Sequence, residues 1–334
     1  MRAVRFVDHG SPLEMGRIGE DARPAGALLL RVHHCGICGS DIHQATEPQF
    51  GAKAGAVLGH EYSGEVVAIG EGVSGFAVGD RVAVVPIASC GHCAACLEGR
   101  PADCPDKRLT AGGYADLAIM PAAQCVKLPD GLSTECGAMV EPLSVGLHGL
   151  AKSGMEPGAR VLIIGAGPIG MVTAYWARRF GASRLAVTAS SMRKAELAKR
   201  MGADVFVAPG DATPEGVADA LGGPADIVFE CAGKAGLIDK GIGLIRRGGT
   251  VVGLGLTSEP DTLDTLGAMR KEARIQMAGF FTLPEFRMSA LALLQDGDTI
   301  SQMVTQRITL DELPTAFEGL KRRNDQCKVM VSMV

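Results

Sequence analysis

The chain has 334 residues, 47% hydrophobic and 21% charged, with a formal net charge of −4. That length favours two domains over a single core, and the apolar content is enough to build both. The absence of a basic excess sets phosphodiester binding aside, so nucleic acid is not expected as a partner.

The opening stretch MRAVRFVDHG is interrupted by Arg2, Arg5 and Asp8 and leads into no signal-peptide core, so a cytoplasmic location is expected. Short β-prone runs separated by glycine turns follow: ALLLRVHHCG, EYSGEVVAIG, VGDRVAVVP and GGYADLAIMPA. Their close spacing predicts a β-rich, barrel-like domain. Two polar stretches lie among them, CGICGSDIH (Cys35–His43) and GHE (Gly59–Glu61). A catalytic zinc takes three protein ligands and keeps one position open, a set that Cys38, His60 and an acidic residue would supply. Either stretch alone is weak, because a single cysteine is as readily a small buried hydrophobe.

SCGHCAACLEGRPADC (Ser89–Cys104) is more specific. It places Cys90, Cys93, Cys96 and Cys104 in a C-x2-C-x2-C-x7-C pattern, four of the chain's ten cysteines. In a reducing compartment such a cluster binds metal rather than forming disulfides. Four thiolates close a zinc tetrahedron and leave no room for substrate, so this ion is expected to be structural, with His92 a bystander.

From about Ser144 strands alternate with helices. RVLIIGAG reads as a strand, GPIGMVTAYWARRFGA as a helix ending near Gly181, RLAVTA as a strand and SMRKAELAKRMGA as a helix stopped by Gly202. DVFVA, a helix near PEGVADAL, ADIVFECAG, a helix over 234–245 and GTVVGLGL continue the pattern. It predicts a parallel sheet covered on both faces. The uncharged run Val161–Ala177 approaches membrane-span length, but its glycines and proline make it a strand, a turn and a helix; no membrane partner is expected. The last fifty residues read as a helix-rich tail ending in a short strand.

GAGPIG places Gly165, Gly167, Pro168, Ile169 and Gly170 between a predicted strand and helix, the context that makes this glycine pattern a dinucleotide turn. Gly165 allows the turn, Gly167 admits the pyrophosphate at the helix N-terminus, and Gly170 allows close packing. Where an NAD site carries a ribose-binding carboxylate at the end of the second strand, this chain has Ala189, flanked by Thr188 and Ser190. Ser190 and Ser191 at the start of a predicted helix, with Arg193 and Lys194 behind, make a site for a 2′-phosphate and a preference for NADP(H). Arg193 and Lys194 could equally solvate the helix surface.

CGICGSDIH, GHE, the four-cysteine loop and GAGPIG, in that order and at these approximate spacings, resemble a zinc-dependent medium-chain alcohol dehydrogenase over essentially the whole chain. MVEPLSVGLHG (Met139–Gly149) resembles the polyol, sorbitol-type branch. The resemblance implies an α/β protein with a GroES-like β-rich catalytic domain (1–144 and 285–334) and a doubly wound Rossmann domain (145–284), substrate and nicotinamide meeting between them. It implies two zinc ions per chain. Cys38, rather than Cys35, and His60 would bind the catalytic ion, with Glu61 or Glu141 as the carboxylate, and Ser40 and His43 would relay the proton released when zinc acidifies an alcohol. Asp41 would orient a ligand or cap a helix. Lys328 would approach the cofactor phosphates, unless it is an ordinary solvated lysine. The expected activity is hydride transfer between NADP(H) and a secondary alcohol or polyol and its ketone, by a homodimer or homotetramer. NAD-dependent oxidation of a polyol or amino alcohol is the alternative with the same fold. A sensor or structural protein that binds NADPH without turnover is the alternative of another class, and the combination of Cys38, Ser40, His43, His60 and Glu61 argues against it.

Overall fold

The strand Ala27–Gly36 shows why the first half folds as a sheet: Leu28, Leu30 and Val32 are buried while Leu29, Arg31 and His33 between them are less so, the two-residue period of a strand with one face on a core. The computed structural model describes residues 1–19, 24–322 and 324–334. By its internal contacts the chain divides into two units, one of residues 1–141, 282–297 and 304–334, the other of 142–281 and 298–303.

In the first unit, Ala27–Gly36 pairs antiparallel with Glu61–Ile69, Leu117–Pro121 and the C-terminal strand Lys328–Ser332, which runs parallel to Val304–Thr309. Glu61–Ile69 continues through Arg81–Val84 to Cys125–Lys127. Val66, Val82, Val84, Phe317, Val329 and Val331 meet Leu28, Leu30 and Val32 in one core. Truncating a side chain such as Leu28 to alanine costs about 2–5 kcal/mol in a core of this kind. The C-terminal tail thus belongs to the N-terminal sheet, with Val331 opposite Cys35.

The second unit holds a six-stranded parallel sheet in the order Val205–Val207, Arg184–Thr188, Arg160–Ile164, Ala225–Glu230, Ile245–Gly253 and Arg274–Met277. Val161, Leu162 and Ile163 are all buried, as parallel strands covered on both faces require. Helices separate the strands. Pro214–Leu221 is typical: the Thr213 hydroxyl accepts from Gly216 N at 3.2 Å to start it, and left-handed Gly222 ends it. The run around Val161–Ala177 resolves into the strand Arg160–Ile164 and the helix Pro168–Arg179. Among the described residues no helix is long and apolar enough to cross a membrane.

One element differs from the sequence reading. The helix expected from Ser191 begins only at Ala195 and ends at Arg200. Ser190, Ser191 and Met192 form bends and Arg193–Lys194 a turn. Serines offer the backbone alternative hydrogen bonds and so favour such turns over a helix interior.

Candidate functional site

Asp41 organises the first cluster. It lies in the first turn of the helix Gly39–Thr46, which begins where Ala27–Gly36 ends, and it is fully buried. One carboxylate oxygen accepts from Cys38 N at 3.0 Å and from Tyr114 OH at 2.7 Å; the other accepts from Gly59 N at 3.2 Å and faces His60 Nδ1 at 3.1 Å. It therefore both caps the helix and fixes the ring. A proton on Nδ1 directed at Asp41 leaves His60 Nε2 as the lone-pair atom, the arrangement of a histidine held ready for a metal. Burial alone would lower the His60 pKa, but the Asp41 charge and hydrogen bond carry it well above its usual value. Burial likewise pushes Asp41 up, and His60 with the Cys38 amide and the Tyr114 hydroxyl brings it below the carboxylate range. The glycine of GHE is a packing requirement: Gly59 has φ +82°, and a Cβ there would lie 2.5 Å from the Tyr114 ring and 2.8 Å from Cys35 Sγ.

Glu61 points into the same region and is paired with Lys328, both side chains 1% exposed. Lys328 Nζ lies 2.7 and 2.5 Å from the two Glu61 oxygens and donates to Ile37 O at 3.1 Å. The alternative of an ordinary solvated lysine is corrected here: Lys328 is buried, and a lysine so buried can hold its charge only against an equally buried partner. Burial disfavours the ammonium, and Glu61 more than restores it, raising its pKa.

Cys38 Sγ, a ring nitrogen of His60 and a Glu61 oxygen all lie within 4.8 Å of one another. One thiolate, one imidazole and one carboxylate fit an open zinc site in number and type. Glu141, in the helix Val140–Ser153, stands outside that set. It is buried, which pushes its pKa up to about 7, with His60 opposing and Glu61 adding to the rise. Ser40 Oγ lies 3.4 Å from His60 Nε2. His43 Nδ1 lies 2.5 Å from Glu47 Oε1, and its ring packs on Phe50 at 5.3 Å. Among the described residues no hydrogen bond joins Ser40 to His43 directly.

The second cluster is the cysteine loop. Ile87–Ala88 pairs with Arg108–Leu109 to close its base, and the short helix Ala94–Leu97 carries Cys96. Cys96 Sγ lies 3.5 Å from Cys93 Sγ and 3.9 Å from Cys90 Sγ, and all four sulfurs fall within 4.8 Å of one another. Sulfurs at the corners of a zinc tetrahedron are about 3.8 Å apart, so the spacing suits the ion. All ten cysteines are free of disulfides. The amides of Cys93 and Cys90 point at Cys90 Sγ and Cys104 Sγ, each at 3.4 Å, as amides do toward thiolates. His92 instead has its Nδ1 against Cys90 O at 2.9 Å, outside the sulfur set.

In the other unit, Gly165 has φ +114° and Gly167 caps the helix Pro168–Arg179, with Pro168 at its first position and Ile169 following. A Cβ on Gly170 would fall 1.9 Å from Gly165 O, so that glycine is needed for packing. A Cβ on Gly167 would meet nothing within 4 Å, so it opens space above the helix N-terminus that a pyrophosphate can fill. At the end of Arg184–Thr188, Thr188 is buried and donates to Val207 O at 3.0 Å. Ala189 and Ser191 are half-buried, as is Lys194, while Ser190 and Arg193 are exposed. Because the helix starts at Ala195, its N-terminus does not contribute an anion site at Ser190 and Ser191; what remains is the absent carboxylate and two nearby cations.

Sequence reasoning missed Tyr114, Glu47 and the role of Lys328. The first and last are remote in sequence from their partners: strand pairing brings in Lys328, and backbone hydrogen bonds to Val4 and Leu58 bring in Tyr114. Glu47 lies one helical turn after His43, a spacing that could have flagged it.

Residues 24–130 match the alcohol dehydrogenase GroES-like domain and residues 168–296 the zinc-binding dehydrogenase domain. The sorbitol dehydrogenase of Bacillus subtilis is 34% identical over 317 residues, 91% of this chain and 89% of that protein. Human sorbitol dehydrogenase is 36% identical over 308 residues, 88% of this chain and 86% of its own. The crystal structure of a zinc-binding dehydrogenase from Sinorhizobium meliloti bound to NADP superposes with a TM-score of 0.89 at 32% identity, covering 99% of this chain and 98% of that one.

Proposed function

This chain belongs to the zinc-dependent medium-chain alcohol dehydrogenases, in their polyol dehydrogenase branch, and from that premise we propose that it moves hydride between NADP(H) and a secondary alcohol or polyol and its ketone. The observation that carries the reading is the pairing of an open three-ligand cluster, Cys38, His60 and Glu61, with a closed cluster of four thiols elsewhere in the same unit. Cys38, His60 and Glu61, with Glu141 as the alternative carboxylate, would hold a catalytic zinc, and Cys90, Cys93, Cys96 and Cys104 a structural one. Zinc bound in the open cluster supplies a Lewis acid that makes an alcohol hydroxyl acidic near neutral pH. Asp41 keeps the His60 proton on Nδ1 and fixes the ring. Lys328 balances the Glu61 charge. Ser40 accepts the alcohol's proton at Oγ, and His43, oriented by Glu47, passes it to solvent through a bridging hydroxyl or water.

The preference for NADP(H) rests on Ala189, where a carboxylate would repel a 2′-phosphate, and on Arg193 and Lys194 behind it. The NADP found with the Sinorhizobium relative supports it. Assembly as a homodimer or homotetramer in the cytoplasm completes the proposal. The edge strand Arg274–Met277 carries Ile275, 41% exposed, and Met277, 62% exposed, an apolar edge suited to a second copy of the chain.

The test is a panel of polyols, secondary alcohols and ketones, followed by nicotinamide absorbance with each cofactor, with and without a zinc chelator. Turnover that is faster with NADP(H) and lost on chelation is expected. Undiminished turnover after complete metal removal would refute the metal reading. Ala189→Asp should shift the ratio of kcat/KM toward NAD; an unchanged ratio would remove the phosphate-site assignment.

A further inference from the structure

The parallel sheet reverses its order at Arg160–Ile164, which has Arg184–Thr188 on one side and Ala225–Glu230 on the other. Ligands of such sheets lie at the carboxyl ends of the strands at that reversal. The adenosine half of a dinucleotide lies over the strand that follows the glycine turn, here Arg184–Thr188, so the nicotinamide half falls toward the ends of Ala225–Glu230 and Ile245–Gly253.

Glu230 is the last residue of its strand on that side. It is 3% exposed, and no ion pair engages it among the described residues. Its Oε1 accepts from Ala232 N at 2.7 Å and Gly233 N at 2.9 Å. Its backbone carbonyl accepts from Leu254 N at 2.8 Å and Gly255 N at 3.0 Å. Segments 231–233 and 254–256 are thus closed onto one residue. They fit tightly: a Cβ on Gly255 would fall 2.0 Å from Gly233 N and 2.5 Å from Glu230 Oε2. The first segment also abuts the dinucleotide turn, since a Cβ on Gly165 would fall 2.9 Å from the carbonyl carbon of Cys231 and 3.0 Å from Ala232 N. Burial raises the Glu230 pKa, and the backbone amides beside the carboxylate work against that rise. A carboxylate buried without a cation is a costly choice for a loop that needs only closing.

We propose that Glu230 is a positioning residue for the nicotinamide half of the cofactor, holding 231–233 and 254–256 as one preformed backbone surface beside the glycine turn. The proposal rests on the dinucleotide reading but not on the choice between NADP and NAD.

Calorimetric binding of NADP+, NAD+ and the adenosine-side fragments 2′,5′-ADP and ADP to wild type and Glu230→Gln tests it. The variant keeps the side chain's shape but removes the negative charge that the Ala232 and Gly233 amides face at Oε1. The better-bound dinucleotide should weaken about tenfold or more, while its matching fragment changes by less than about twofold. Amide hydrogen exchange at Ala232 and Gly233 should rise in the same variant. If Glu230→Gln does not fold, Glu230→Asp, which keeps the charge but withdraws it by one methylene, serves the same comparison. Equal weakening of dinucleotide and fragment, or of neither, overturns the positioning role alone. Wild-type protein that binds neither overturns the cofactor reading and this inference with it.

Discussion

The four-thiol loop and the Cys38–His60–Glu61 cluster are both sulfur-bearing, but they are assembled at different scales. The loop takes all its thiols from Cys90 to Cys104, closes its base with two residue pairs and lies near the surface. The other cluster needs Asp41 to tie Cys38 to His60, Tyr114 to hold Asp41, and Lys328 from the far end of the chain to hold Glu61. A closed site needs only proximity among like ligands. An open one must keep unlike ligands in place while one position stays free, and that demands a buried frame.

Five substitutions, one of them paired with another, probe that contrast, from the largest effect to the smallest. Cys38→Ser should lower kcat/KM by on the order of 10³-fold or more with cofactor binding and melting temperature retained; near-normal turnover would separate the cluster from the chemistry. Lys328→Met removes the buried cation paired with Glu61, and in the metal-free protein should cost about 3–5 kcal/mol in urea unfolding. Adding Glu61→Gln should recover part of that loss, and strict additivity of the two changes would show that the pair does not couple. Cys96→Ser should instead lower the melting temperature by about 5 °C or more and halve the zinc content, while activity per folded molecule changes little; a fully zinc-loaded variant of normal stability would break the distinction between closed and open sites. Asp41→Asn should weaken metal retention at the open site by about tenfold, read by chelator competition, and leave the loop's ion untouched.

The same contrast decides what could be read from the sequence. The strands announced themselves by alternation, as in Leu28, Leu30 and Val32, and the glycine turn by its place between strand and helix. The clustering of the four cysteine sulfurs was legible because their spacing is local. Cys38 and His60 were legible through CGICGSDIH and GHE, and Gly59 shows why the second motif holds its form. The start of the helix at Ala195 was not legible, because hydrophobic spacing does not register serines that prefer a turn. Neither was the partnership of Lys328 with Glu61, since nothing in a lysine near a C-terminus tells a solvated charge from a buried one.

The amino-acid order by itself fixed the two kinds of unit, the four-thiol loop, the dinucleotide turn and the absence of an acid at Ala189, all of which depend on spacing within a few tens of residues. The tertiary structure alone decided that the final strand lies against Ala27–Gly36 and so brings Lys328 to Glu61, that Asp41 serves both ligand segments, and that Glu230 accepts from two loops. The physical reason is that local geometry follows from each residue's own backbone and side-chain preferences. The placement of a buried charge depends on which distant segment supplies its partner, and only the paired sheet determines that.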